Sequence, residues 1–286
     1  MNNKILVLYT IASLAPFFAN AGSDQSIIYH ISDKQIQEQR TTLAANTQGK
    51  GFGPQSPRDI DLIKGRNKQV FSQAPEYTKM NLCNIHVHKN AEHKGGEFTQ
   101  YAGNGDGQGY QSGYKYSGIL TQQELSPLKY EVGASQHGSL YPGDTIEAHY
   151  VYSTAQVSPG PTLSSCFSDT NKNPQLRVET QVYVLVNDPK ATNFIKLTKL
   201  GMTNGVNQAV NIPSHTGIPV QYAGSTTGPS YNEIGSPFQV SWSVRPQVMK
   251  VSINSVGKWL KNNIFDEHYA HGVRNLVNNP DLLSDR

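Results

Sequence analysis

Asn84-Ile85-His86-Val87-His88 and Glu147-Ala148-His149-Tyr150-Val151 are the two stretches that decide how this chain is read. Both have the β-branched and aromatic content of strands. On a strand, residues i and i+2 face the same side. His86 and His88 therefore aim two imidazoles at one point, and His149 on a second strand supplies a third. Three neutral imidazoles that leave one coordination position open are the ligand set of a catalytic zinc site. Asn84 and Glu147 each stand two places before a histidine, on the same strand face. Each is placed to hold the ring nitrogen that is not on the metal.

The rest of the chain is consistent with strands. Gly, Pro, Tyr, Thr, Ser and Asn are plentiful and long helical periodicities are scarce. Strands are expected at Cys83–His88, Thr145–Ser153, Arg177–Val186, Gly217–Tyr222 and Phe238–Val244. The run Val178–Val186 turns continuously apolar, which marks a central, buried strand. Short helices are expected near Ser32–Arg40, with Ser32 as the cap, through Ser255–Phe265 and over Asp266–Leu276. Asn104-Gly105-Asp106-Gly107-Gln108-Gly109 lacks the flanking strand, helix and Lys-Ser/Thr ending of a phosphate-binding loop and reads as a plain loop. The expected fold is mainly β: a single domain on a large twisted, mostly antiparallel sheet with short peripheral helices.

The N-terminus reads as a signal peptide, residues 1–21. Asn2, Asn3 and Lys4 are followed by a largely apolar run to Phe18 and by Ala19-Asn20-Ala21, a small-residue cleavage site. The run is too short for a membrane span and Pro16 interrupts it. The mature domain is then 22–286, exported to a periplasm or secreted, with no stable membrane insertion. Cleavage removes one lysine and no acid, so the formal charge falls from +3 to +2. No basic stripe offers a surface for nucleic acid. Cys83 and Cys166 are the two cysteines, and in an oxidising compartment such a pair is most simply a disulfide. Zinc ligation by these cysteines is disfavoured, because strict alternation puts Cys83 and His86 on opposite strand faces.

With these residues in view, the chain resembles the carbonic anhydrases. His86-Val87-His88, Glu92-His93 and Glu147-Ala148-His149-Tyr150-Val151 resemble the H-x-H, Glu-His and E-x-H-x-V signatures of the α class. The short spacing from His88 to Glu92-His93 resembles the δ class and δ-class-like bacterial proteins. Gln55-Ser56-Pro57-Arg58-Asp59-Ile60, Tyr222-Ala223-Gly224-Ser225-Thr226-Thr227 and Val240-Ser241-Trp242-Ser243-Val244 resemble three further segments in the family's order. The insert from Ala155 to Asn173 and the tail after Ser255 do not match the α class well.

The resemblance implies one Zn²⁺ per chain on His86, His88 and His149, and a zinc-bound hydroxide that attacks carbon dioxide to give bicarbonate. It implies that Thr226 or Thr227 orients that hydroxide and passes a hydrogen bond to Glu92. The turn is one residue shorter than the α pattern, which leaves the choice between the threonines open. Val151, Val240 and Trp242 would form the apolar pocket for carbon dioxide. His93, His137 and His215 are the candidate proton shuttles, and His93 is also the alternative third ligand. His30, His268 and His271 have no supporting pattern and read as surface or satisfied histidines. Imidazole also accepts cobalt or cadmium.

Two other readings compete. His86-x-His88-x(3)-Glu92 also fits the metal motif of cupin oxygenases and isomerases, with Glu92 as a ligand. The glycines that motif needs are replaced by Met80 and Thr99, and His149 lies too far beyond Pro142-Gly143. The third reading is a non-enzymatic exported zinc- or carbohydrate-binding protein, for which fifteen tyrosines would suit a sugar surface.

Overall fold

The computed structural model describes residues 30–285 apart from positions 63 and 70. The expected signal peptide, residues 1–21, lies outside the described residues. Five strands form the main sheet: β1 (Asn81–Lys89), β2 (Thr145–Ser153), β3 (Leu176–Val186), β4 (Val220–Ser225) and β5 (Gln239–Ser252). They lie in the order β1-β2-β3-β5-β4. All pairings are antiparallel except β3 with β5, which is parallel. Three short two-stranded pairs lie outside this sheet. The fold is mainly β on a mostly antiparallel sheet, as expected.

The two central strands, β2 and β3, are buried along their whole length. Alternation then divides the molecule. On β2, Ile146, Ala148, Tyr150 and Tyr152 face a core shared with Leu185, Phe194 and Trp259. Val151 faces a second cluster with Val178, Val240 and Trp242. Helix α1 (Asp33–Thr47) begins at Ser32, whose hydroxyl accepts from Gln35 N while Gln35 reaches back to the cap, a reciprocal capping box. Helix α2 (Phe194–Leu197) and helix α3 (Ile253–Lys261) cover the first core through Phe194, Val256, Trp259 and Leu260.

Three local expectations are corrected. Strict alternation fails on β1, where the register slips between Leu82 and Asn84. The bulge turns Cys83 into the cluster that holds Val151 and Trp242, on the side of the histidines. Strand β5 does not end at Val244. The register shifts between Val244 and Val248, around Pro246, and pairing resumes as Val248–Ser252 against Val182–Val186. Proline cannot donate to a ladder, so the strand bulges there instead of stopping. The helix expected over Asp266–Leu276 does not form. That segment is extended along the free edge of β1, where His271 N donates to Val87 O at 2.8 Å and His271 O accepts from Lys89 N at 3.0 Å. Satisfying an open sheet edge outweighs the segment's own weak helical pattern.

Cys83 and Cys166 form a disulfide. Among the described residues, no helix is long and apolar enough to cross a membrane. Leu185 is fully buried in the core between sheet and helices. Leu185→Ala is expected to lower stability by about 2–5 kcal/mol, read as a shift of the denaturant midpoint at constant slope.

Candidate metal centre

His86 on β1 stands directly opposite His149 on β2, and His88 stands opposite Glu147. The antiparallel pair thus brings all three histidines to one face. Each ring has one nitrogen committed elsewhere. His86 Nδ1 donates to Asn84 Oδ1 at 2.7 Å. His88 Nδ1 donates to the carbonyl oxygen of Gly272 at 2.8 Å. His149 Nε2 donates to Glu147 Oε1 at 2.6 Å. A carbonyl or carboxylate oxygen can only accept, so the protons lie on these nitrogens. The remaining nitrogens present lone pairs to each other. His149 Nδ1 lies 3.1 Å from His86 Nε2. His88 Nε2 is buried without any hydrogen-bond partner. Three convergent lone pairs repel unless a cation sits among them, and these residues form a group able to hold a metal ion.

At His86 and His88 the electrostatics favour the neutral ring. Burial, and then repulsion from the neighbouring rings of His149, His88 and His271, holds His86 well below its ordinary pKa. Burial brings His88 down to about 4 against the opposing pull of Glu92. Burial alone would raise Glu147, but the charges and hydrogen bonds of His93 and His149 outweigh it and hold the carboxyl well below the usual range.

A cavity of about 320 Å³ opens from this point. Val151, Val240 and Trp242 line it with Leu163, Leu176 and Val178, and Thr226 and Thr227 stand on its wall. Glu92 does not join the histidines as a fourth donor of the group. Nor does it complete the expected relay. Thr226 Oγ1 pairs with Ser236 Oγ at 2.6 Å, while Glu92 Oε1 accepts from Arg274 N at 2.8 Å. Glu92 Oε2 is buried and has no hydrogen-bond partner. With no residue between Ser225 and Thr226, the threonine directly follows β4, its backbone N–H donates to Phe238 O, and its hydroxyl turns to Ser236. Glu92 instead lies beside two of the rings, 3.9 Å from His88 Nδ1 and 4.0 Å from His149 Nε2.

The candidate proton carriers are elsewhere. His93 is fully buried behind the site, with Nδ1 on Glu147 at 2.8 Å and Nε2 beside the Tyr222 hydroxyl at 2.7 Å. Although His93, Glu147 and His149 also form a compact donor group, both nitrogens of His93 are already engaged there. His137 stacks on Tyr110 with ring centroids 3.4 Å apart, outside the cavity lining, and His215 is exposed on a loop. The histidine that does line the cavity beside these three rings is His271, with Nε2 held by both oxygens of Glu267 at 3.0 and 2.9 Å. The sequence reads it as an ordinary surface or core histidine, because nothing local to residues 266–276 shows that the segment returns to β1.

Other contributors also escape the motifs. Gln108 of the glycine-rich loop, Tyr110 just after it, and Thr162 and Leu163 of the Ala155–Asn173 insert wall the cavity. The loop reaches the tail by backbone contact. A Cβ on Gly109, at φ +95°, would lie 2.4 Å from Val273 O, so only glycine fits there.

The delta carbonic anhydrase family matches residues 77–255, and the chain belongs to that family. Among solved structures the chain is similar to a hyperthermostable carbonic anhydrase identified from an active hydrothermal vent chimney, at 16% identity over 78% of this chain and 87% of that one, with a TM-score of 0.25. It is also similar to the Photobacterium profundum alpha-carbonic anhydrase, at 15% identity over 87% and 96% of the two chains, with a TM-score of 0.27. Among curated proteins, none matches.

Glu147 holds two rings at once, so its substitution tests the outer layer of the site. Glu147→Gln is expected to weaken zinc binding by about 10- to 100-fold with the fold intact, measured by competition against a chromogenic chelator and by circular dichroism.

Proposed function

We propose that this protein is an exported zinc enzyme that interconverts carbon dioxide with bicarbonate and a proton. Membership of the delta carbonic anhydrase family supports the reaction class. The observation that carries the metal assignment is the buried, partnerless Nε2 of His88 beside His86 Nε2 and His149 Nδ1. An all-nitrogen set of three neutral donors fits zinc, which accepts imidazole in tetrahedral sites. One convergent set of this kind corresponds to one ion per chain. When bound, zinc acts as a Lewis acid that makes water acidic enough to yield a nucleophile near neutral pH.

The chain's own residues supply the rest. Asn84, Glu147 and the Gly272 carbonyl fix the orientation of the three rings. Val151, Val240 and Trp242 give the substrate an apolar wall. Carbon dioxide has no net dipole and loses little on leaving water for such a surface, whereas charged bicarbonate is retained poorly there. Thr226 and Thr227 bring hydroxyl-bearing side chains to the cavity wall, and we assign to them the orientation of the attacking water. Glu92 acts through the rings, holding a carboxylate within about 4 Å of His88 and His149. Residues 1–21 serve as the export signal of a single domain spanning 22–286, and the Cys83–Cys166 bond suits the oxidising compartment that export implies.

Elemental analysis of the purified protein should find one zinc per chain, and stopped-flow mixing with carbon dioxide should show hydration. His149→Ala is expected to lose both. Stoichiometric iron without hydration activity would overturn the proposal in favour of a cupin-like metal enzyme. Among Thr226→Val and Thr227→Val, the one that orients the water should retain zinc yet slow hydration about 100-fold. Full activity in both variants would remove the threonines from the mechanism.

A further inference from the structure

Asn84 is held at both ends of its amide. Its Oδ1 accepts from His86 Nδ1 at 2.7 Å, and its Nδ2 donates to Gly160 O at 3.1 Å. Gly160 is itself fixed to the neighbouring residue of β1, because Gly160 N donates to Cys83 O at 3.0 Å. Gly160 belongs to the insert, and the insert is joined covalently to β1 by the Cys83–Cys166 disulfide. Ser153 Oγ donates to Cys166 O at 2.6 Å and accepts from Ala155 N at 3.1 Å, which ties both ends of this loop to the last residue of β2. Between Gly160 and Cys166 lie Thr162 and Leu163, which wall the cavity.

The two ends of an asparagine amide have nearly the same shape and opposite hydrogen-bonding character. Turned by 180°, Asn84 would offer an N–H to His86 Nδ1, and that nitrogen would have to be the unprotonated one. The proton would then move to Nε2, the atom that faces His88 and His149. The Gly160 carbonyl can only accept, so it admits one orientation of the amide. That orientation leaves His86 Nε2 free of a proton.

We infer that the disulfide-tethered insert is a working part of the metal centre: through the Gly160 carbonyl it sets the orientation of Asn84, and through Asn84 it keeps His86 in the form that binds the metal. Asn84 is a positioning residue in this scheme, and the Cys83–Cys166 bond keeps its polarity fixed. The inference rests on the zinc reading of the three histidines. It adds that metal affinity depends on a bond that touches no ligand.

The test uses metal-free full-length mature protein and zinc alone, with affinity read by competition against a chromogenic chelator and folding read by near-ultraviolet circular dichroism. Asn84→Ala, with the disulfide intact, should bind zinc about 10- to 100-fold more weakly while keeping the native spectrum. The double variant Cys83→Ala/Cys166→Ala should show a loss of similar size. Adding Asn84→Ala to it should weaken binding little further, since both changes break one chain of contacts. Asn84→Asp separates this role from general loosening. A carboxylate accepts from His86 Nδ1 in either orientation, so in the disulfide-free background Asn84→Asp should recover much of the lost affinity.

Wild-type affinity in Asn84→Ala would overturn the inference, as would a disulfide-free protein that folds and binds zinc normally. If the disulfide-free protein loses as much affinity with Asn84→Asp as without it, the inference also fails, because the disulfide is then a general brace. If the disulfide-free chain does not fold, the comparison moves to Gly160-Pro161. Deletion of this pair in the oxidised protein removes the acceptor. It should lower zinc affinity when Asn84 is retained but not when it is combined with Asn84→Asp. Failure of the wild-type protein to bind zinc at all would instead strike the metal assignment itself.

Discussion

Three imidazole lone pairs meet in one small volume because each ring has committed its other nitrogen to an acceptor. Asn84, Gly272 and Glu147 take the three protons, and the nitrogens left over have only one another to face. Such an arrangement is unfavourable when empty, and it is held in place by strands buried on both sides. The direct pairing of His86 with His149 fixes the rings' separation through the backbone ladder. Around that point lie apolar side chains along the cavity wall, a buried carboxylate near the rings, and covering segments that close the remaining sides.

The sheet divides labour by parity. Residues 146, 148, 150 and 152 of β2 build the core that α2 and α3 cover, while 147, 149 and 151 supply an orienting carboxylate, a ring and a cavity wall. A one-residue slip in this strand would exchange the two sets. The bulge at Cys83 is the exception that the site uses. It turns a cysteine towards the insert without moving Asn84, His86 and His88 off their face.

The strand faces, the three histidines, the partners of His86 and His149, and the cysteine pairing are legible in the sequence because each depends on period-two spacing or on compartment chemistry. Capping by Ser32 is legible for the same local reason. What escapes depends on contacts between distant segments. Residues 266–276 have weak local preferences, and an open strand edge decides their shape, so their neighbours in sequence place neither His271 nor the Gly272 carbonyl. The hydrogen bonding of Glu92 differs from expectation for a related reason. Its partner is a backbone N–H of Arg274 from the same returning segment, which a motif of side chains does not register. The insert and the glycine-rich loop read as connections because their contribution is made through carbonyls and close backbone approach.

The returning tail has a consequence for the order in which this protein can mature. The three rings, and the carboxylates beside them, all come from residues 86–149. The acceptor that fixes His88 and the N–H that fixes Glu92 arrive only with Gly272 and Arg274, far downstream of the last of these rings. A chain lacking residues 272–274 would therefore carry all three histidines without the carbonyl that orients His88. The return of residues 266–276 to the edge of β1, rather than the appearance of the histidines themselves, is the step that finishes the surroundings of these rings.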